Sequence, residues 1–145
     1  MAGERILLVE DNMVNRRMAE FLLKSRGLVV IEAVTGAEAI QLARAERPDL
    51  IIMDLQLAGM DGFVATREIK ADPLTRHIPV VAMTAYAMSG DRERALEAGC
   101  DGYITKPIDT KEFPVTIERY LVARRVRGSD SEPGPGQARA DGGDV

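Results

Sequence analysis

Residues 51–62 read IIMDLQLAGMDG: an apolar run that ends on a carboxylate, Asp54, and passes into a turn punctuated by Gly59 and Gly62. A short apolar run bounded by turn residues reads as a buried strand. A carboxylate at the end of such a strand costs little if water reaches it, and otherwise needs other groups to hold its charge. Those groups have to come from elsewhere in the chain, and where they sit decides the fold.

Five runs of this kind recur: Arg5–Val9, Val29–Ala33, Leu50–Met53, Val80–Met83 and Gly102–Thr105. Each is nearly continuous in apolar character, as strands covered on both faces are. Between them lie stretches of helical period. Val14, Met18, Phe21, Leu22 and Ser25 mark the first helix, with Asn12 or Asn15 near its start and Gly27 past its end. Ala37, Ile40 and Ala43 mark the second, capped by Thr35 and stopped at Arg47-Pro48. The third spans Val64 to Ala71, the fourth Ser89 to Ala98 with Ser89 as cap and Gly99 as stop, and the fifth about Thr110 to Arg125. Strand and helix in alternation spell βα units feeding a parallel sheet, an α/β fold of the doubly wound kind.

The chain of 145 residues is long enough for one domain with its own core. That domain is expected over 1–127. From Gly128 onward the sequence turns to Gly, Pro and acidic residues, so 128–145 is expected to be a disordered tail. The tail carries four acids, Asp130, Glu132, Asp141 and Asp144, against Arg139, so most of the formal charge of −4 belongs to it. A nearly neutral body gives no electrostatic case for nucleic acid or an anionic membrane. No apolar stretch approaches the roughly 20 residues of a membrane span, and the first residues lack a signal-peptide pattern, so a cytoplasmic location is expected. Cys100, the single cysteine, excludes an intrachain disulfide and a thiolate cage; it reads as a small buried filler. His77 sits in an exposed-looking RHIP connection, and Arg119, Arg124, Arg125 and Arg127 read as a solvated helix face.

In open α/β sheets, ligands bind beyond the carboxyl ends of the strands. At those ends stand Glu10 and Asp11 after the first strand, Asp54 after the third, Thr84 after the fourth and Lys106 after the fifth. Three crowded carboxylates repel one another unless a cation joins them. An all-oxygen site of this kind suits Mg²⁺, which keeps positions for water and phosphate oxygens. Lys106 supplies a point charge for an anion and Thr84 a hydroxyl, so the set reads as a site for a phosphoryl group. Glu10 and Asp11 are adjacent and placed to share a metal, whereas Asp54 stands alone and is assigned as the attacking carboxylate.

In these residues the chain resembles the receiver domains of two-component response regulators. The resemblance rests on ILLVEDN, DLIIMDLQLAGMDG, VVAMTA and AGCDGYITKPID, in order and spacing from residue 4 to about 125. It is similar in particular to single-domain receivers of the DivK type and to receivers fused to hybrid histidine kinases. The resemblance implies a five-stranded (βα)5 sheet in the order 2-1-3-4-5. It implies that Asp54 takes a phosphoryl group from a histidine kinase or a histidine phosphotransfer protein, with Mg²⁺ held by Asp11, Asp54 and the main-chain carbonyl of Gln56, and by Glu10 through water. Lys106 would pair with the phosphoryl oxygens, Thr84 would swing to bond them and Tyr103 would turn inward. The face of the fourth helix, fifth strand and fifth helix would then change for a downstream protein, unless the module serves as a phosphate sink or relay intermediate. Many receivers carry proline where this chain has Ala58. An aspartate-nucleophile phosphatase would need a second aspartate two residues on, where Gln56 stands. A flavodoxin-like phosphate loop would not begin with Glu10-Asp11.

Overall fold

A computed structural model describes residues 3–57, 62–85 and 90–131. The elements are β1 (Arg5–Val9), α1 (Met13–Lys24), β2 (Val29–Ala33), α2 (Gly36–Glu46), β3 (Leu50–Asp54), α3 (Gly62–Ala71), β4 (Val80–Thr84), α4 (Asp91–Ala98), β5 (Gly102–Thr105) and α5 (Glu112–Ser131). All pairings are parallel, in the order β2-β1-β3-β4-β5. The expected five-stranded doubly wound sheet is what the chain forms.

Alternation along the strands sends successive side chains to opposite faces. Leu7, Val9, Ile51, Met53, Val80 and Ala82 pack with Ala39 and Ala43 of α2, Phe63 and Ile69 of α3, and Ala95 and Ala98 of α4. Ile6, Leu8, Leu50, Ile52, Val81 and Met83 pack with Ala19 and Leu23 of α1 and with Phe113, Ile117 and Leu121 of α5. Two cores therefore sandwich the sheet, the arrangement an all-parallel sheet requires. Because β2 lies outside β1 and β3 on its other side, the winding reverses between β1 and β3. That switch point opens at their carboxyl ends.

Several boundaries differ from those read in the sequence. β3 and β4 each run one residue further, so Asp54 and Thr84 are the last residues of their ladders, opposite Met83 and Thr105. α4 begins at Asp91 after Gly90, which has a positive φ of 82° and gives no side-chain cap; the expected cap, Ser89, lies outside the described residues, as does Ala58. α5 starts at Glu112, where the Asp109 carboxylate accepts the N–H groups of Lys111 at 2.8 Å and Glu112 at 2.9 Å. The same helix continues through Gly128 to Ser131, so the first residues assigned to the tail are helical.

α1 buries a different face from the one its clearest apolar stripe marks. The Val14, Met18 and Phe21 stripe that betrays the helix is not its buried side: Val14 and Phe21 are each 71% exposed and Met18 38%. Ala19 and Leu23 face the sheet instead, with Leu22 partly buried beside them. α1 thus carries two apolar stripes, and only one is used by the fold. Of the two asparagines expected near its start, Asn12 caps this helix, accepting the Asn15 N–H at 2.9 Å; Thr35 caps α2 as expected, accepting the Glu38 N–H at 3.1 Å.

Candidate functional site

The switch point gathers the groups found in the sequence. Glu10, Asp11 and Asp54 each bring a carboxylate oxygen to within 4.8 Å of the others. Asp54 and Glu10 are both 1% exposed, while Asp11 faces solvent. Lys106 Nζ lies 2.9 Å from Asp54 Oδ2 and 3.4 Å from Glu10 Oε1. The other Asp54 oxygen, Oδ1, accepts the main-chain N–H of Gln56 at 2.9 Å. The charge at the end of β3 is therefore held by one ammonium and one amide, which answers the cost of burying it. The peptide between Lys106 and Pro107 is cis.

Burial raises the Glu10 carboxyl from an ordinary 4.5 to about 7; the Asn12 N–H pulls it down, the facing Asp54 pushes it up again, and Lys106 offsets part of this. The Asn12 N–H reaches Glu10 Oε2 at 3.1 Å. Burial alone would lower Lys106, but its hydrogen bond to Asp54 and the charges of Asp54 and Glu10 outweigh that and hold it above 10.5. Among the described residues the buried Glu10 Oε1 finds no hydrogen-bond partner, and the Lys106 ammonium lies 3.4 Å away. Among the described residues three carboxylates gather at this rim and the Lys106 ammonium pairs with two of them, an oxygen-rich set with a surplus of negative charge. The donor set fits a hard divalent cation such as Mg²⁺.

A family model described as the response regulator receiver domain matches residues 6–118. The chain belongs to this family. Over 116 residues the receiver is 46% identical to the polar-differentiation response regulator DivK of Brucella anthropi, a span covering 80% of this chain and 94% of that protein. It is 45% identical over 116 residues to the DivK of Brucella melitensis, with the same coverage. The receiver domain of a sensor histidine kinase from Pseudomonas aeruginosa matches with a TM-score of 0.78 at 42% identity, over 83% of this chain and 99% of that one. That structure holds a magnesium ion coordinated in its active-site cleft. A chemotaxis response regulator of Vibrio cholerae, at 24% identity over 81% of this receiver and 98% of that chain, shares the fold with a TM-score of 0.77. Membership implies a histidine kinase or a histidine phosphotransfer protein as the partner of this receiver.

The remaining residues singled out in the sequence fall in different places. Thr84 is fully buried at the end of β4, and the Lys106 N–H donates to its carbonyl at 2.8 Å. Tyr103 is partly buried against the core beneath α2, α3 and α4. His77 and Arg119 are exposed and neither belongs to the acidic group found among the described residues, and Arg124 approaches Asp49 at 3.8 Å. Cys100 is buried, and burial pushes its thiol up to about 11, which leaves it an inert filler.

Three contributors escaped the sequence reading. Arg16 of α1 donates through Nη1 to the Glu10 carbonyl at 3.0 Å and lies 3.4 Å from Glu32 of β2, tying down the loop that carries the acidic pair. Gly62 opens α3 against the backbone of Asp54 and Leu55, where any side chain would overlap the Asp54 carbonyl. The Gln56 side chain reaches Thr84, donating from Nε2 to Oγ1 at 2.8 Å. A helical Arg seven residues past the end of β1 was the only visible signal for the first. The other two depend on contacts between segments that periodicity does not report.

Proposed function

We propose that this receiver accepts a phosphoryl group from a phosphohistidine of its partner onto the Asp54 carboxylate. The observation that carries the reading is the buried Asp54 held at 2.9 Å from Lys106 Nζ beside two further carboxylates. In the transfer, one Asp54 oxygen attacks phosphorus, the phosphorus–nitrogen bond breaks, and the imidazole leaves with the bonding pair and takes up a proton. Lys106 offsets the charge that gathers on the phosphoryl oxygens, and the ladder end of β3 fixes the attacking carboxylate in line. Asp11, Asp54 and the Gln56 carbonyl would hold Mg²⁺, with Glu10 acting through water. The cation supplies a Lewis acid for the phosphoryl oxygens.

The exposed Val14, Met18 and Phe21 of α1 offer the partner an apolar landing beside this rim. A pocket of about 200 Å³ joins the two, lined by Asn15 and Met18 on one side and Glu10, Lys106, Pro107 and Ile108 on the other. Thr84 and Tyr103 serve as the switch, read on the face of α4, β5 and α5, where Leu96 and Val122 stand exposed. The test is chemical. Acetyl phosphate with Mg²⁺ should label the wild type at an acid-stable, base-labile acyl phosphate, and Asp54→Asn should take up none. Labelling of the Asn variant at the wild-type level would overturn the assignment.

A further inference from the structure

The Gln56 side chain joins two connections that a phosphoryl group on Asp54 would have to address together. Its Nε2 donates to Thr84 Oγ1 at 2.8 Å, and its Oε1 accepts the Ala85 N–H at 3.3 Å. Its own main-chain N–H meanwhile donates to Asp54 Oδ1 at 2.9 Å. One residue thus grips the carboxylate, the buried hydroxyl and the first main-chain N–H beyond β4. A primary amide can do this because donor and acceptor sit side by side at its end.

We propose that the Gln56 amide is a latch, a positioning residue that holds Thr84 and Ala85 in their unphosphorylated arrangement and lets go when Asp54 carries a phosphoryl group. The proposal rests on the assignment of Asp54 and Thr84 above. The direction follows from hydrogen-bond chemistry. A phosphoryl group presents only acceptors, and charged ones, so it outcompetes the neutral Gln56 Oε1 for the Ala85 N–H and takes the Thr84 hydroxyl as donor. The 3.3 Å bond is the weaker of the two and is the one contested. While the latch is closed, any ligand of Asp54 that needs the switched arrangement must open it first, and its apparent affinity falls by that factor.

Gln56→Met keeps the length of the side chain and removes both bonds. In the free protein, hydrogen exchange at the Ala85 amide should then accelerate about two- to tenfold, the worth of a net hydrogen bond. The Val81 and Ala82 amides inside β4 should keep their protection. Affinity for beryllofluoride with Mg²⁺ should rise by a similar factor, and Gln56→Leu should reproduce both changes. An unchanged Ala85 exchange rate, or an affinity that stays level or falls, overturns the latch. If wild type and Asp54→Asn bind beryllofluoride equally, the phosphoacceptor reading itself fails and the latch goes with it.

Discussion

Replacing Glu10 by glutamine should make the metal-free receiver more stable at neutral pH, and the size of the gain follows from the site. Glu10 is fully buried and its carboxyl is raised from 4.5 to about 7, first by burial and then by Asp54. Below about pH 4.5 both folded and unfolded chains hold the proton and the group costs nothing. Between pH 4.5 and 7 the unfolded chain releases a proton that the folded chain keeps, so stability falls as pH rises. At about 1.4 kcal/mol per pH unit, the cost levels off near 3 kcal/mol above pH 7. Glutamine preserves the shape and can still accept the Asn12 N–H. Urea unfolding in the presence of EDTA, from pH 4 to 8, should show the two proteins converging at the acid end. At pH 8 the variant should lead by about 3 kcal/mol, on the order of 10 °C in Tm. Added Mg²⁺ should stabilise the wild type more than the variant, since it binds the folded cluster. A gap that does not change with pH, or a variant weaker at pH 8, would rule out a buried Glu10 that keeps its proton to about pH 7.

Other substitutions probe separate parts of the structure. Phe21→Ser, on the exposed stripe of α1, should change stability by less than about 0.5 kcal/mol; phosphotransfer from the partner kinase should drop about tenfold, while labelling by acetyl phosphate stays level. Gly62→Ala places a Cβ against the Asp54 carbonyl and only 2.8 Å from Leu55 Cα, backbone atoms with little freedom to yield. It should lower stability by about 1–3 kcal/mol and reduce acetyl phosphate labelling, both measurable on one preparation. Gly102→Ala drives a Cβ into the Tyr120 ring, which covers β5 at that point. Chemical denaturation should show a loss of similar size, and Tyr120→Leu in the same chain should restore part of it through coupling between the two sites.

The strands were legible because a parallel sheet covered on both faces demands continuous apolar runs, and the ladder ends carried their chemistry in plain view. Glu10, Asp11, Asp54, Thr84 and Lys106 each close such a run or follow it within two residues, so strand and candidate site were read together. α1 shows where periodicity stops. It has apolar residues at 14, 18 and 21 and again at 19, 22 and 23, and spacing alone does not say which stripe meets the sheet. Ala19 and Leu23 meet the sheet, while Val14 and Phe21 stay outside. The reach of Gln56 to Thr84 was hidden for another reason: it depends on the register that sets Asp54 opposite Met83, a tertiary fact. Gly62 looked like a turn glycine, and only the approach of α3 to β3 reveals it as a spacing requirement.

The alternation of the strands also determines what a charge at the rim can move. Met53, next to Asp54, belongs to the core beneath α2, α3 and α4, whereas Met83, next to Thr84, belongs to the core beneath α1 and α5. On β5, Tyr103 and Ile104 divide in the same way. A group wedged between the ends of β3 and β4 therefore presses on two interiors at once, and neither face of the sheet is insulated from it. In a receiver built like this, the ends of two neighbouring strands lead into opposite cores.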